Sequence, residues 1–95
     1  MDKDCILKIK DEVAARRSFD GTLVAVSPES DKIITLNESA AVLWSLIDGK
    51  RDITEIITLF AAHFGAESLD EISWIEKDVV EIVGKFLEKQ LVEII

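Results

Sequence analysis

Across residues 35–49, Thr-Leu-Asn-Glu-Ser-Ala-Ala-Val-Leu-Trp-Ser-Leu-Ile-Asp-Gly, the hydrophobic period changes from two to 3.6 at a single residue. The preceding run of Ile33, Ile34, Thr35 and Leu36 is rich in β-branched side chains and suits a short strand. Asn37 then offers a side-chain oxygen to an amide of a first helical turn. Ala40, Leu43, Trp44 and Ile47 recur at helical spacing, and Gly49 is the expected stop. One face of this helix is apolar and must pack on something, with Trp44 in the core.

At 95 residues the chain has room for one hydrophobic core and not for two. Hydrophobic residues make up 48% of it and no low-complexity tract interrupts it, so a folded module is expected. Residues 1–12 read as an N-terminal segment open to fraying, and residues 13–95 as a single domain. Strand-like pieces at 13–17, 22–27 and 33–36 are separated by Asp20-Gly21 and by a Ser-Pro-Glu-Ser-Asp turn at 27–31. Asp-Gly is a favoured tight-hairpin pair, so these pieces predict a three-stranded antiparallel sheet.

Helices follow. Asp52-Ile-Thr-Glu55 fits a capping box, and Ile53, Ile56, Ile57, Phe60 and Phe64 mark a second helix that closes near Gly65. A third helix is expected from roughly Ser73, with Glu76 three residues on, to Gln90; Ser68, with Glu71 three residues on, is a rival start. On a wheel its apolar arc contains Ile75, Val79, Ile82 and Phe86 and widens through Val80, Val83, Leu87 and Leu91 to about half the circumference. Such a width fits a helix sandwiched between two layers, or one whose arc edge lines an apolar groove. Gly84, at that edge, would let another backbone approach. Lys85 beside it suits either an ion pair with Glu81 or an acidic residue of a bound peptide. Trp74 lies off the main arc and is expected to cap the second helix. The whole is an α+β domain of winged-helix type, three antiparallel strands followed by three helices.

The 35–49 segment, the Arg-Asp-Ile-Thr-Glu-Ile-Ile run at 51–57, and Asp78, Val79, Ile82, Val83, Phe86, Leu91 and Val92 together resemble the PqqD-like family. These are small proteins of pyrroloquinoline quinone biosynthesis and related peptide-modification pathways, also called precursor-peptide recognition elements. The resemblance implies a non-catalytic role, in which the leader of a ribosomally made precursor peptide is captured by β-strand addition and presented to a modifying enzyme. That enzyme is often a radical S-adenosylmethionine protein. It implies backbone pairing along Ile33, Ile34, Thr35 and Leu36, a helix wall at Val80, Gly84 and Lys85, and no cofactor. The chain departs from the family in reading Lys89-Gln90-Leu91-Val92 where a glycine usually precedes the final apolar pair, and in a longer connection between the second and third helices.

Charge and motifs leave two rival classes open. A winged-helix DNA-binding regulator would need a basic third helix, whereas this chain has a formal net charge of −8, a pI near 4.5 and no arginine in that helix. A bare interaction module, including a homodimer without a peptide substrate, would also use the wide apolar arc. Catalysis finds no nucleophile motif and no phosphate-cradling glycine loop. His63, the only histidine, reads as incidental late in the second helix, and the lone Cys5 cannot form an internal disulfide. Apolar runs fall well short of the roughly 20 residues that span a bilayer, and the N-terminus lacks signal-peptide features, so a cytoplasmic location without membrane contact is expected.

Overall fold

The structure is a computed structural model that describes residues 2–27 and 32–95. Its elements run β1 (Leu7–Ile9), β2 (Ala14–Arg17), β3 (Leu23–Ser27), β4 (Lys32–Leu36), α1 (Glu38–Leu46), α2 (Ile53–His63), α3 (Leu69–Glu88) and β5 (Val92–Ile94). The expected three-stranded antiparallel sheet is present in the order β2-β3-β4, followed by three helices. A second, two-stranded sheet joins β1 to β5.

The β2–β3 hairpin turns through Asp20 and Gly21, but in a three-residue loop and not a two-residue one. Gly21 donates to the Ser18 carbonyl at 3.0 Å, and Ser18 donates to Thr22 at 2.7 Å across the closing pair. Gly21 takes φ +89°, the left-handed position of a type I turn with a G1 bulge. The Asp20 carboxylate accepts from Ser18 Oγ and from the Thr22 amide, which hold its pKa down at about 2. In β3 and β4, Ala25 and Leu36 are buried against the helices while Ile33 lies exposed on the other face. The turn expected at 27–31 falls at residues 28–31, outside the described residues.

Asn37 caps α1 as its sequence position requires, its side chain accepting from the Ala40 amide at 2.9 Å. Gly49 is not the helix stop. The helix ends at Leu46 with Ile47 already extended, and the freed Leu46 carbonyl accepts from Arg51 Nη1 at 3.1 Å. Gly49, at φ +78°, sits instead in the following turn, where its amide donates to the Leu7 carbonyl. Asp48 organises that turn by accepting from the Arg51 and Lys50 amides, and these bonds lower its pKa. In α2, Asp52 accepts from the Glu55 amide at 2.8 Å.

Of the two candidate starts for α3, Ser68 is used: its Oγ accepts from the Glu71 amide at 3.1 Å. The helix is therefore five residues longer at its N-terminus than a Ser73 cap would make it, and takes in residues 69–72, where a polar connection was expected. Both α2 and α3 end in Schellman motifs. In α2, Gly65 at φ +71° donates to Ala62 and Ala66 to Ala61. In α3 the same pair of bonds runs from Gln90 to Leu87 and from Leu91 to Phe86, with Gln90 held at φ +61°. The left-handed position that closes α3 is thus taken by a residue with a side chain.

The N-terminal segment expected to fray is tied down. Leu7 is fully buried, β1 pairs antiparallel with β5 in the register Leu7↔Ile94 to Ile9↔Val92, and the Lys10 and Ile95 amides extend the ladder. The Cys5 and Lys3 carbonyls accept from the Ile53 and Thr54 amides, satisfying donors that the first turn of α2 would otherwise leave open. Lys3 also pairs with Glu76 of α3. Leu7→Ala should therefore cost about 2–5 kcal/mol of stability in urea denaturation, as for a core leucine. Relief of the left-handed penalty in Gln90→Gly should raise stability by about 1 kcal/mol in the same assay.

Candidate functional site

A cleft of about 210 Å³ lies between β4 and α3. Ile34, Thr35 and Leu36 form its sheet wall, Ile82, Lys85, Phe86 and Lys89 its helix wall, and Ala40 and Asn37 of the α1 start complete it. Three sequence devices build it. β4 is the last strand of its sheet, so among the described residues its far edge has no partner strand. α1 leaves β4 at once through the Asn37 cap, which carries Ala40 and Trp44 beneath the strand. Phe86, 2% exposed, then stands edge-on to Trp44 with ring centroids 5.4 Å apart, bringing α3 alongside.

The cleft continues past Asn37 into an opening of about 250 Å³ lined by Ser39, Asp78 and Glu81, and the two spaces share Asn37, Ile82 and Lys85. Glu81 and Lys85 form a loose ion pair at 3.8 Å, both two-thirds exposed. A larger depression of about 450 Å³ between the β2–β3 turn and α1 is lined by Arg17, Asp20, Ala41 and Val42, among others. The chemistry the cleft offers is an open backbone edge above an apolar trough, which suits an extended chain. Among the described residues no group of three His, Cys, Asp or Glu side chains is placed to hold a metal ion, and no helix is long and apolar enough to cross a membrane.

Residues 22–92 match the family model described as coenzyme PQQ synthesis protein D. The chain belongs to the PqqD family. It is 32% identical over 71 residues to the PqqA binding protein of Xanthomonas oryzae pv. oryzae strain PXO99A, an alignment covering 75% of this chain and 71% of that protein. The PqqA binding protein of strain MAFF 311018 matches equally. Among solved structures, TbiB1 in complex with the TbiA(beta) leader peptide shares the fold, with a TM-score of 0.72 over 90% of this chain and 94% of that chain at 23% identity.

Of the residues singled out from the sequence, the structure brings Ile34, Thr35, Leu36 and Lys85 together in the cleft. Ile33 belongs to the same edge strand with its side chain 71% exposed. Val80 and Gly84 lie elsewhere. Each sits two residues from a cleft residue, Ile82 or Phe86, and at about 100° per residue a two-residue step turns to nearly the opposite side of a helix. Val80, 40% exposed, instead borders a shallow depression with Ser73, Glu76 and Lys77. Among the described residues a Cβ on Gly84 would meet nothing within 4 Å, so none of their backbone approaches there. The sequence reading omitted Asn37, Ala40, Ile82, Phe86 and Lys89 from the site. Ile82 and Phe86 stood in the centre of the apolar arc, and that was the signal for them. Trp74 does not cap α2; it is 70% exposed. His63 lies in the last turn of α2 with its ring edge-on to Phe64.

Gly84→Ala is accordingly expected to stabilise the protein by about 0.5–1 kcal/mol through helix propensity, measured by thermal or urea denaturation, and to leave ligand affinity at the cleft unchanged.

Proposed function

We propose that this PqqD-family chain is a non-catalytic capture protein. The leader of a ribosomally made precursor peptide adds as a strand to the open edge of β4, settles side chains into the cleft against α3, and is held there for a separate modifying enzyme. The observation that carries this reading is the pairing of an unpartnered edge with an apolar trough along it, lined by Ile34, Leu36, Ile82 and Phe86. The naming of relatives as PqqA binding proteins and the leader peptide bound to the matched structure support the same class of ligand.

Magnitudes say where affinity arises. An edge the length of β4 offers roughly four backbone hydrogen bonds at about 1 kcal/mol net each. Ordering a flexible peptide costs about 2–5 kcal/mol, which nearly cancels them. Net affinity therefore comes from apolar side chains of the peptide in the cleft, at about 1.5–3 kcal/mol for each one fully buried. Backbone pairing supplies register, and the trough supplies discrimination. The modifying enzyme fits the radical S-adenosylmethionine class that serves this family, and the cytoplasm, where precursor peptides are made, is the fitting compartment. A DNA-binding role is poorly served, since the exposed face of α3 presents Asp70, Glu71 and Glu81.

The test is an NMR titration of isotope-labelled protein with the leader of a precursor encoded beside it. Saturable shifts should concentrate on residues 33–36 and 82–89, and N-methylation of alternate peptide amides should weaken binding at least tenfold. Shifts confined to other surfaces, or shifts induced by duplex DNA in their place, would overturn the proposal.

A further inference from the structure

The alternation of hydrogen bonds across the sheet decides which backbone groups the edge of β4 offers. Ser18 donates to Thr22 at the end of the β2–β3 hairpin, so Arg16 and Val24 exchange backbone bonds, and one residue on Ala25 exchanges them with Ile34. Ile34 and Leu36 thus turn their amides and carbonyls toward β3. Ile33 and Thr35 turn theirs toward the edge that has no partner strand among the described residues. The side chains divide in the same alternation: Ile34 and Leu36 belong to the cleft face, Ile33 and Thr35 to the outer face of the sheet. On that outer face Ile33 is 71% exposed beside the half-buried Val26, and Thr35 is exposed beside the half-buried Val24.

A strand that adds to this edge bonds to Ile33 and Thr35, and its own side chains alternate between the cleft and the outer face. A slip of one residue would turn its cleft residues out to solvent. A slip of two would not, because the backbone pattern repeats every two residues and Ile34 and Leu36 present the trough with two similar apolar walls. The outer face differs between the same two steps, since Ile33 is apolar and Thr35 carries a hydroxyl. Resting on the peptide-capture reading, we infer that Ile33 is a second specificity contact, outside the cleft, which selects a β-branched or aromatic residue at the outward peptide position opposite it and so sets the register along β4. Cross-strand apolar pairs of this kind are worth up to about fivefold in affinity. Followed along β4 from Ile33 to Leu36, the preferred ligand is apolar opposite Ile33, apolar opposite Ile34, unrestricted opposite Thr35 and apolar opposite Leu36.

The experiment is selection of a random ten-residue phage library on the purified wild-type chain and on Ile33→Thr/Thr35→Ile, which exchanges the two outward side chains and keeps a β-branched residue at each. Both positions are exposed, and circular dichroism checks that the variant folds. The wild-type pool should place its outward apolar residue beside the pair of alternate cleft residues, and the variant pool should move it between them. In a wild-type-selected peptide, alanine at the outward position should weaken binding about two- to fivefold on the wild-type chain and leave it unchanged on Ile33→Thr, whereas alanine at a cleft position should weaken binding to both. Peptides that shift the amides of 33–36 and 82–89 but show no outward preference, keep one pattern on both selected proteins, or lose equally on Ile33→Thr overturn the role of Ile33 and leave peptide capture standing. Folded protein that enriches nothing, or peptides that shift only other surfaces, overturns both.

Discussion

Phe86 meeting Trp44 edge-on is the contact on which the cleft depends. Trp44 is joined to β4 by less than three helical turns and a single capping residue, so its position relative to the strand is nearly rigid. Phe86 is buried against it and carries α3 with it. The pair therefore sets how far α3 stands from the edge of β4. A helix packed closer would cover the unpaired backbone groups, and one further off would leave an exposed strand with no trough. An aromatic pair adds about 0.5–1.5 kcal/mol beyond its burial, small for the fold as a whole, yet its geometry decides whether a second chain can enter.

The chain termini hold this spacing from behind. β1 and β5 come from opposite ends of the sequence, and their two-stranded ribbon is anchored by Leu7, Leu91 and Val92, none more than 2% exposed. Through backbone bonds it reaches the turn after α1, the first turn of α2 and the end of α3. The left-handed Gln90 belongs to the same device. A chain leaving α3 must reverse at once for Leu91 to enter the core and Val92 to meet Ile9, and the Schellman turn achieves this despite the cost of a side chain at φ +61°.

Local chemistry made most of this architecture legible in the sequence. The Asn37 and Asp52 caps and the Asp20-Gly21 hairpin are decided within a few residues, and the structure uses each of them, whereas of two Ser-x-x-Glu starts for α3 it uses the rival, Ser68. What depended on distant partners was not legible. Three-residue strands such as β1 and β5 are too short to show a period, and their pairing spans nearly the whole chain, so Leu7 looked like part of a loose tail. Gly49 resembled a helix stop because glycine marks left-handed backbone of any origin, and here the turn after the helix requires it. In the site, β4 was named because the resemblance to the PqqD-like family implied it; its residues alone suit a strand but do not place it at an edge. On the helix side a wide apolar arc does not say which edge turns toward the sheet: Lys85 lines the cleft, whereas Val80 and Gly84 lie on one side of α3 and Ile82 and Phe86 on the other.

An open strand edge is ordinarily a hazard, since it templates pairing with any extended chain, including another copy of itself. Here the hazard is managed without closing the edge. β4 is short, five residues, and a net charge of −8 sets copies against one another. Neither device blocks a short peptide, whose smaller charge meets little repulsion. Screening by salt at roughly 8–10 Å under ordinary conditions confines the repulsion to close approach, which is where a second copy of the protein would have to come and where a peptide is already engaged by the cleft. The same edge can thus remain open to a peptide strand and be disfavoured as a site of self-association.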